Sequence, residues 1–307
     1  MSDSGTRPGS GELTAALLGT GLLGSAIARR VAESGIRLKV WNRTVSKAEA
    51  LRAWGVSVCA TPAEACEDVD VVLVCLRDGA VVESVLASGD GGFERARPDT
   101  VFADISTVGP RATRRLLELA SSRGYAYVAT PVVGSGTSAL GGQLVVLEGG
   151  DPNALGRARR ILEPTARRFF YCGSPDLASA AKLAVNTLLG LLNEAIAEAY
   201  ALGLAMGIES SLLLDILSET PAGSQVERKR ALIESGKFEP SFKLELLAKD
   251  LRLALEEASA KGVAERLEGL RATLANVDRA LSSGWEGLDY SAMAGFLAPD
   301  HSGNGAS

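Results

Sequence analysis

The sequence predicts an α/β chain: a doubly wound parallel sheet followed by a second, all-α domain built on one long helix. Three observations predict it. Short apolar runs alternate with helix-like runs up to about residue 173. A glycine-spaced turn joins the first apolar run to the first helical run. Beyond Gly173 the strand pattern stops and Ala/Leu-rich helical stretches take over. Alternation of this kind is the βα repeat of a sheet covered on both faces.

Each element follows in order. Ala15 to Leu18 reads as a strand, Gly19-Thr20-Gly21-Leu22-Leu23-Gly24 as a turn, Ala26 to Glu33 as a helix, and Leu38 to Trp41 as a second strand with a polar end at Asn42-Arg43-Thr44. Val71 to Leu76, Val101 to Ser106 and Tyr127 to Val133 are apolar runs expected of strands buried on both faces, and Gln143 to Glu148 is a further strand ended by Gly149-Gly150. Helices are expected between them at Ser46 to Trp54, Pro62 to Ala65, Ala80 to Leu86 and Pro110 to Ser122. From Leu177 to Met206 one long helix is expected, apolar on nearly every face, then helices over Ser210 to Leu217, Ser224 to Ile233, Lys243 to Lys261 and Ala264 to Leu281. A helix apolar all round must be covered by other protein. Covering it within one chain of this size is difficult, so a homodimer sharing it is expected. The expected organisation is a disordered tail over residues 1–12, a dinucleotide-binding domain over 13–174, an all-α substrate and dimerisation domain over 175–298 and a second disordered tail over 299–307.

Composition narrows the function. The chain has 307 residues, 46% hydrophobic and 22% charged, with a formal net charge of -5. That mild acidity and the lack of a dense basic stripe argue against a nucleic-acid partner. Cys59, Cys66, Cys75 and Cys172 show no C-x-x-C spacing, so a metal site or disulfide framework is not expected and a cytoplasmic location is. The single histidine, His301, lies in a polar tail, which removes a His base from consideration. No signal pattern opens the chain, and no run of about 18 uninterrupted apolar residues marks a membrane span.

Four constellations carry chemistry. In the glycine turn, Gly19 allows a tight turn, Gly21 lets the backbone approach a pyrophosphate, and Gly24 lets the helix pack on the strand, with the helix N-terminus facing the phosphates. An NAD-preferring site places an acid roughly 20 residues on. Here Asn42, Arg43 and Thr44 hold that place, and a guanidinium with a hydroxyl suits a 2′-phosphate, so NADP(H) is expected. The second is Asp104-Ile105-Ser106-Thr107, followed by Pro110. Ser106 and Thr107 stand at a strand's carboxyl end, where ligands bind in such sheets, although helix capping explains them equally well. The third is Thr130-Pro131-Val132-Val133-Gly134-Ser135-Gly136, either an anion-binding run of N–H groups or a plain turn. The fourth is Lys182 with Asn186, four residues apart on one helix face among apolar neighbours. A lysine is ordinarily a solvated charge. A desolvated one has a lowered pKa and serves as general acid or base near neutrality.

In this order the motifs resemble the β-hydroxyacid dehydrogenase family, which has a Rossmann-type domain followed by a helical one. The resemblance spans roughly Leu13 to Met293. It rests on the Gly19–Gly24 turn, on Asp104, Ser106, Thr107 and Pro110, on Gly134, Ala139, Gly142, Leu144, Gly149 and Gly150, on Lys182, Leu183 and Asn186, and on Lys249-Asp250-Leu251. It implies that NADP(H) is held by Gly19, Thr20, Gly21, Leu22, Leu23, Gly24, Asn42, Arg43, Thr44, Leu76 and Lys249. It also implies a small aldehyde or keto acid bound between the domains by Ser106, Thr107, Val133, Gly134, Ser135 and Lys249, with hydride delivered to its carbonyl carbon. Lys182, helped by Asn186, would give the proton. The string Asn42-Arg43-Thr44 and the run Gly142 to Leu147 look closest to the glyoxylate/succinic semialdehyde reductase branch. Val133 and Ala129 depart from the family's Ser and acid, and Asp176 and Ala178 replace its glycines, which leaves the acid substrate open. Leu177-Ala178-Ser179 also resembles the imine reductases, making reduction of a C=N bond the alternative. A cationic lysine repels an iminium and favours a carbonyl becoming an alkoxide. A non-catalytic NADP-binding module is the second alternative.

Overall fold

The computed structural model describes residues 13–299. Residues 1–12, the end of the second tail and His301 lie outside the described residues. The chain divides into two compact units. One runs through Ser106 and resumes over Ala112–Ala178; the other is Thr107–Arg111 together with the chain from Ser179 onward.

The first unit is built on a nine-stranded sheet. Strands β1 (Thr14–Leu18), β2 (Arg37–Trp41), β3 (Ser57–Val58), β4 (Val71–Val74), β5 (Val101–Asp104) and β6 (Ala126–Ala129) are parallel in the order 3-2-1-4-5-6. The order reverses between β1 and β4, and in open sheets that reversal opens a crevice beyond the carboxyl ends. The alternating helices are α1 (Leu22–Glu33), α2 (Val45–Glu49), α3 (Pro62–Cys66), α4 (Gly79–Ala87), α5 (Pro110–Ser122), α6 (Gly136–Leu140) and α7 (Pro152–Leu162). In α1 the buried residues Gly24, Ile27, Ala28 and Val31 make the i, i+3, i+4, i+7 stripe that packs on the sheet. In α7 the residues Ala154, Leu155, Ala158, Ile161 and Leu162 do the same.

The structure departs from the expected elements at several points. The single strand expected over Tyr127 to Val133 is β6 and then β7 (Val132–Val133), parted at Pro131, which has no N–H for a ladder. β8 (Leu144–Gly149) runs antiparallel to both, and β9 (Ala166–Gly173) adds beside it in parallel. The helix expected over Ser46 to Trp54 stops at Glu49; a 3-10 turn follows at Arg52–Trp54 and ends at Gly55, whose φ is +75°. Helix α7 and strand β9 occupy a stretch that the sequence reading leaves unassigned.

The second unit is helical: most of α8 (Pro175–Ala205), then α9 (Ser210–Ser218), α10 (Gly223–Ser235), α11 (Leu244–Ala260), α12 (Glu268–Ser282) and α13 (Met293–Leu297). Its core joins Leu214, Leu244, Leu247, Leu251, Val277 and Met293. The helix expected from Ala264 begins as a 3-10 turn, and α12 proper starts at Glu268. A buried Asp289 pairs with Lys229 at 2.8 Å and accepts from the Ser241 and Ser291 backbones, tying the last turns to the start of α11. By length and composition α8 is apolar enough to cross a membrane. It nevertheless buries Lys182, Asn186, Asn193 and Glu194, each bonded within the second unit, as a core helix does.

Candidate active site

Two glycines of the turn are fixed by contact and one by space. At Gly19 (φ +104°) an added Cβ would lie 2.2 Å from the Cys75 carbonyl oxygen, and at Gly24 it would lie 2.1 Å from that of Gly19. The turn is thus folded hard against the end of β4 and against α1. An added Cβ at Gly21 meets nothing within 4 Å. Gly21 is also the N-cap of α1, with no side chain capping the helix and no acid in its first turn. Open space at a glycine before uncapped N–H groups is what a pyrophosphate requires, so the residues present fit a dinucleotide.

The polar end of β2 divides its labour. The Thr20 N–H donates to Asn42 Oδ1 at 3.0 Å, and Asn42 Nδ2 donates to the Thr44 carbonyl at 2.9 Å. Both ends of the Asn42 amide therefore brace the corner. Thr20 is buried, its carbonyl taken by the Ser25 hydroxyl, and Leu22 is exposed while Leu23 packs at the core's margin. Arg43 and Thr44 are exposed, and their side chains carry no hydrogen bond or ion pair among the described residues. Val133, Gly134 and Ser135 form the bend from β7 into α6. Gly134 has φ +130°, and an added Cβ there would meet Leu144 Cδ2 at 2.8 Å.

Ser106 and Thr107 part company. The Ser106 hydroxyl accepts from the Leu76 N–H at 2.9 Å and faces the Val74 carbonyl at 3.3 Å, and its own N–H donates to Asp104 Oδ1. Ser106, expected at the substrate, is buried with its hydroxyl engaged at both ends. The Thr107 hydroxyl makes no hydrogen bond among the described residues.

In the second unit, Lys182 is 9% exposed and donates from Nζ to Asn186 Oδ1 at 2.8 Å. Asn186 Nδ2 donates to Asp250 Oδ2, Asp250 Oδ1 lies 2.7 Å from Lys249 Nζ, and Lys249 Nζ donates to the Thr107 carbonyl at 2.6 Å. Helix spacing stacks Lys182 over Asn186 on α8, and α11 carries Lys249 and Asp250. Burial pushes the Lys182 ammonium down to about 8; the Asp250 charge opposes that shift and the Lys249 charge adds to it. Asp250 is the residue to which the sequence reading gave no role. Its signal was an acid set among Leu247, Ala248 and Leu251 on a core face. Lys249, expected at the cofactor and substrate, is held in the ligand-free chain by Asp250 and the Thr107 carbonyl.

Comparison with known proteins bears on the whole chain. Residues 14–173 match the NAD binding domain of 6-phosphogluconate dehydrogenase, and residues 177–297 match the NAD-binding domain of NADP-dependent 3-hydroxyisobutyrate dehydrogenase. The chain is 30% identical over 295 residues to the NAD-dependent L-serine dehydrogenase of Pseudomonas aeruginosa, covering 92% of this chain and 97% of that one. It is 30% identical over 279 residues to glyoxylate/succinic semialdehyde reductase 1 of Arabidopsis thaliana, covering 90% and 95%. The solved 3-hydroxyisobutyrate dehydrogenase of Mycobacterium tuberculosis with L-serine superposes with a TM-score of 0.80 at 28% identity, over 93% of this chain and 99% of that one. The two matches together cover both units, and the chain belongs to the β-hydroxyacid dehydrogenase family of NAD(P)-dependent oxidoreductases.

Proposed function

We propose that the protein is an NADPH-dependent reductase of a small aldehyde or keto acid, with Lys182 as general acid. The buried chain Lys182–Asn186–Asp250 carries this reading. When bound, the cofactor supplies the hydride. The Gly21 backbone and the start of α1 would hold its pyrophosphate, and Arg43 with Thr44 would hold a 2′-phosphate, since both side chains are exposed and uncommitted. Lys182 would meet the alkoxide that forms on the carbonyl oxygen as hydride adds to the carbon. Its ammonium neutralises that charge and then gives up a proton, which a depressed pKa makes easier. Asn186, held by Asp250, presents its oxygen to Nζ and so fixes where the amine points. The Thr107 hydroxyl, in the same unit as Lys182, offers a hydrogen bond to a substrate's polar end. A cationic Nζ disfavours an iminium, which sets carbonyls ahead of imines.

Lys182→Met should lower turnover by about 10²–10⁴-fold while leaving the Kd for NADPH nearly unchanged. In the wild type, kcat/KM for reduction should fall as pH rises through about 8, where the acid is lost, and kcat/KM for oxidation of the alcohol should rise through the same range. An NADPH-consumption screen over aldehydes, keto acids and cyclic imines checks the substrate class. Full activity in Lys182→Met, or turnover confined to the imines, overturns the reading.

We further propose a homodimer and a cytoplasmic location. Leu188 and Leu202 are exposed at 66% and 63%, and Ala195 lies exposed midway between them, a seven-residue repeat along α8 that invites a second helix. The four cysteines are free, with Cys59 and Cys66 buried, as suits a reducing compartment.

A further inference from the structure

Ser106 has a task that its place in a substrate motif hides. The β1–β4 ladder continues as far as Cys75, whose N–H donates to the Leu18 carbonyl at 2.9 Å. The next donor, the Leu76 N–H, points the other way, toward β5, whose regular ladder with β4 ends where the Ile105 N–H donates to the Val74 carbonyl. Such a backbone donor needs an acceptor. The Ser106 hydroxyl supplies one at 2.9 Å, reaching across from the end of β5. Ser106 is in turn fixed from behind: its N–H donates to Asp104 Oδ1 at 2.8 Å, and Asp104 Oδ2 accepts from the Tyr127 hydroxyl on β6 at 2.7 Å. Ahead of it, the Cys75–Leu76 segment is the surface on which the glycine turn rests. An added Cβ at Gly19 would meet the Cys75 oxygen at 2.2 Å and Leu76 Cδ2 at 2.9 Å. The line Tyr127–Asp104–Ser106–Leu76–Gly19 therefore runs from the middle of the sheet to the dinucleotide turn, all within the first unit.

We propose that Ser106 is a positioning residue for the dinucleotide: its hydroxyl pins the Cys75–Leu76 segment beneath the Gly19–Gly24 turn and so sets affinity for the cofactor, not for the substrate. Thr107, with its uncommitted hydroxyl, is left as the substrate-facing member of the pair. The proposal rests on dinucleotide binding by the first unit and is independent of which carbonyl is reduced.

The test is the Kd of the binary complex with NADPH, read from nicotinamide fluorescence on the full chain with no substrate present. Melting temperature is recorded alongside. Ser106→Ala leaves the Leu76 N–H without its acceptor and should raise that Kd about five- to tenfold, with a melting temperature lowered by about a few degrees. Tyr127→Phe, one step further back, should move it the same way by less. In turnover with a carbonyl substrate, Ser106→Ala should raise the KM for NADPH at constant kcat, a split that general destabilisation would not produce. An unchanged Kd in both Ser106→Ala and Tyr127→Phe overturns the proposal, as does a Ser106→Ala variant whose only change is a higher substrate KM. A wild-type chain that binds neither NADPH nor NADH overturns the premise instead, and that result is distinct from an unchanged Kd.

Discussion

Gly21 and Gly24 stand three residues apart and need to be glycine for different reasons. A methyl at Gly24 would collide with the Gly19 backbone, whereas a methyl at Gly21 would enter open space. Gly24→Ala should therefore cost about 1–3 kcal/mol of stability, as overpacking does, and lower the melting temperature. Gly21→Ala should melt normally yet raise the Kd for NADPH about tenfold or more, because the methyl occupies the approach of a charged ligand to backbone donors. Calorimetry paired with titration separates the two. The same contrast shows how far the site was legible. The sequence displays Gly19, Gly21, Gly24, Lys182 and Asn186 by spacing. It cannot say which of two adjacent hydroxyls turns inward, since that depends on where the β4–β5 ladder ends and leaves the Leu76 N–H to a side-chain acceptor. Nor does it reveal that Lys249 pairs with its own neighbour, Asp250.

At the scale of elements, helices with sharp ends were easiest to read. Pro110 opens α5, and the predicted Pro110–Ser122 is the observed span. Helix α7 carried an equally good start: Asp151 accepts from the Asn153 and Ala154 N–H groups, and Pro152 follows at the first position. Its apolar stripe is diluted by three arginines, which conceals it. Strand β9 gave no alternation to read, because it lies on the sheet margin with Arg167, Arg168, Phe170 and Tyr171 all exposed. The β2–α2 corner offers a direct check on cofactor choice. Asn42 braces it from inside, so Arg43 can be changed without disturbing the turn. Arg43→Asp should shift the NADPH/NADH ratio of kcat/KM toward NADH by about ten- to a hundredfold, the worth of a charge-assisted bond. An unchanged ratio would remove Arg43 from the phosphate site.

At the scale of the whole molecule, the sequence of α8 is apolar all round, and the structure specifies which part of it one chain leaves uncovered. If a second copy covers Leu188 and Leu202, replacing both with Glu should convert a dimer to a monomer in sedimentation at micromolar concentration. The wild type should also show a melting temperature that rises with protein concentration. A wild-type monomer under those conditions would rule the dimer out.

Asn186 places a carboxamide between the amine of Lys182 and the carboxylate of Asp250. A carboxamide holds its neighbours in line but neither gains nor releases a proton near neutrality. Asp250 can therefore aim the amine without recharging it. If Lys182 is the proton donor of the proposed reduction, its replacement proton has to come from water that reaches Nζ, because the carboxamide beside it cannot pass one on.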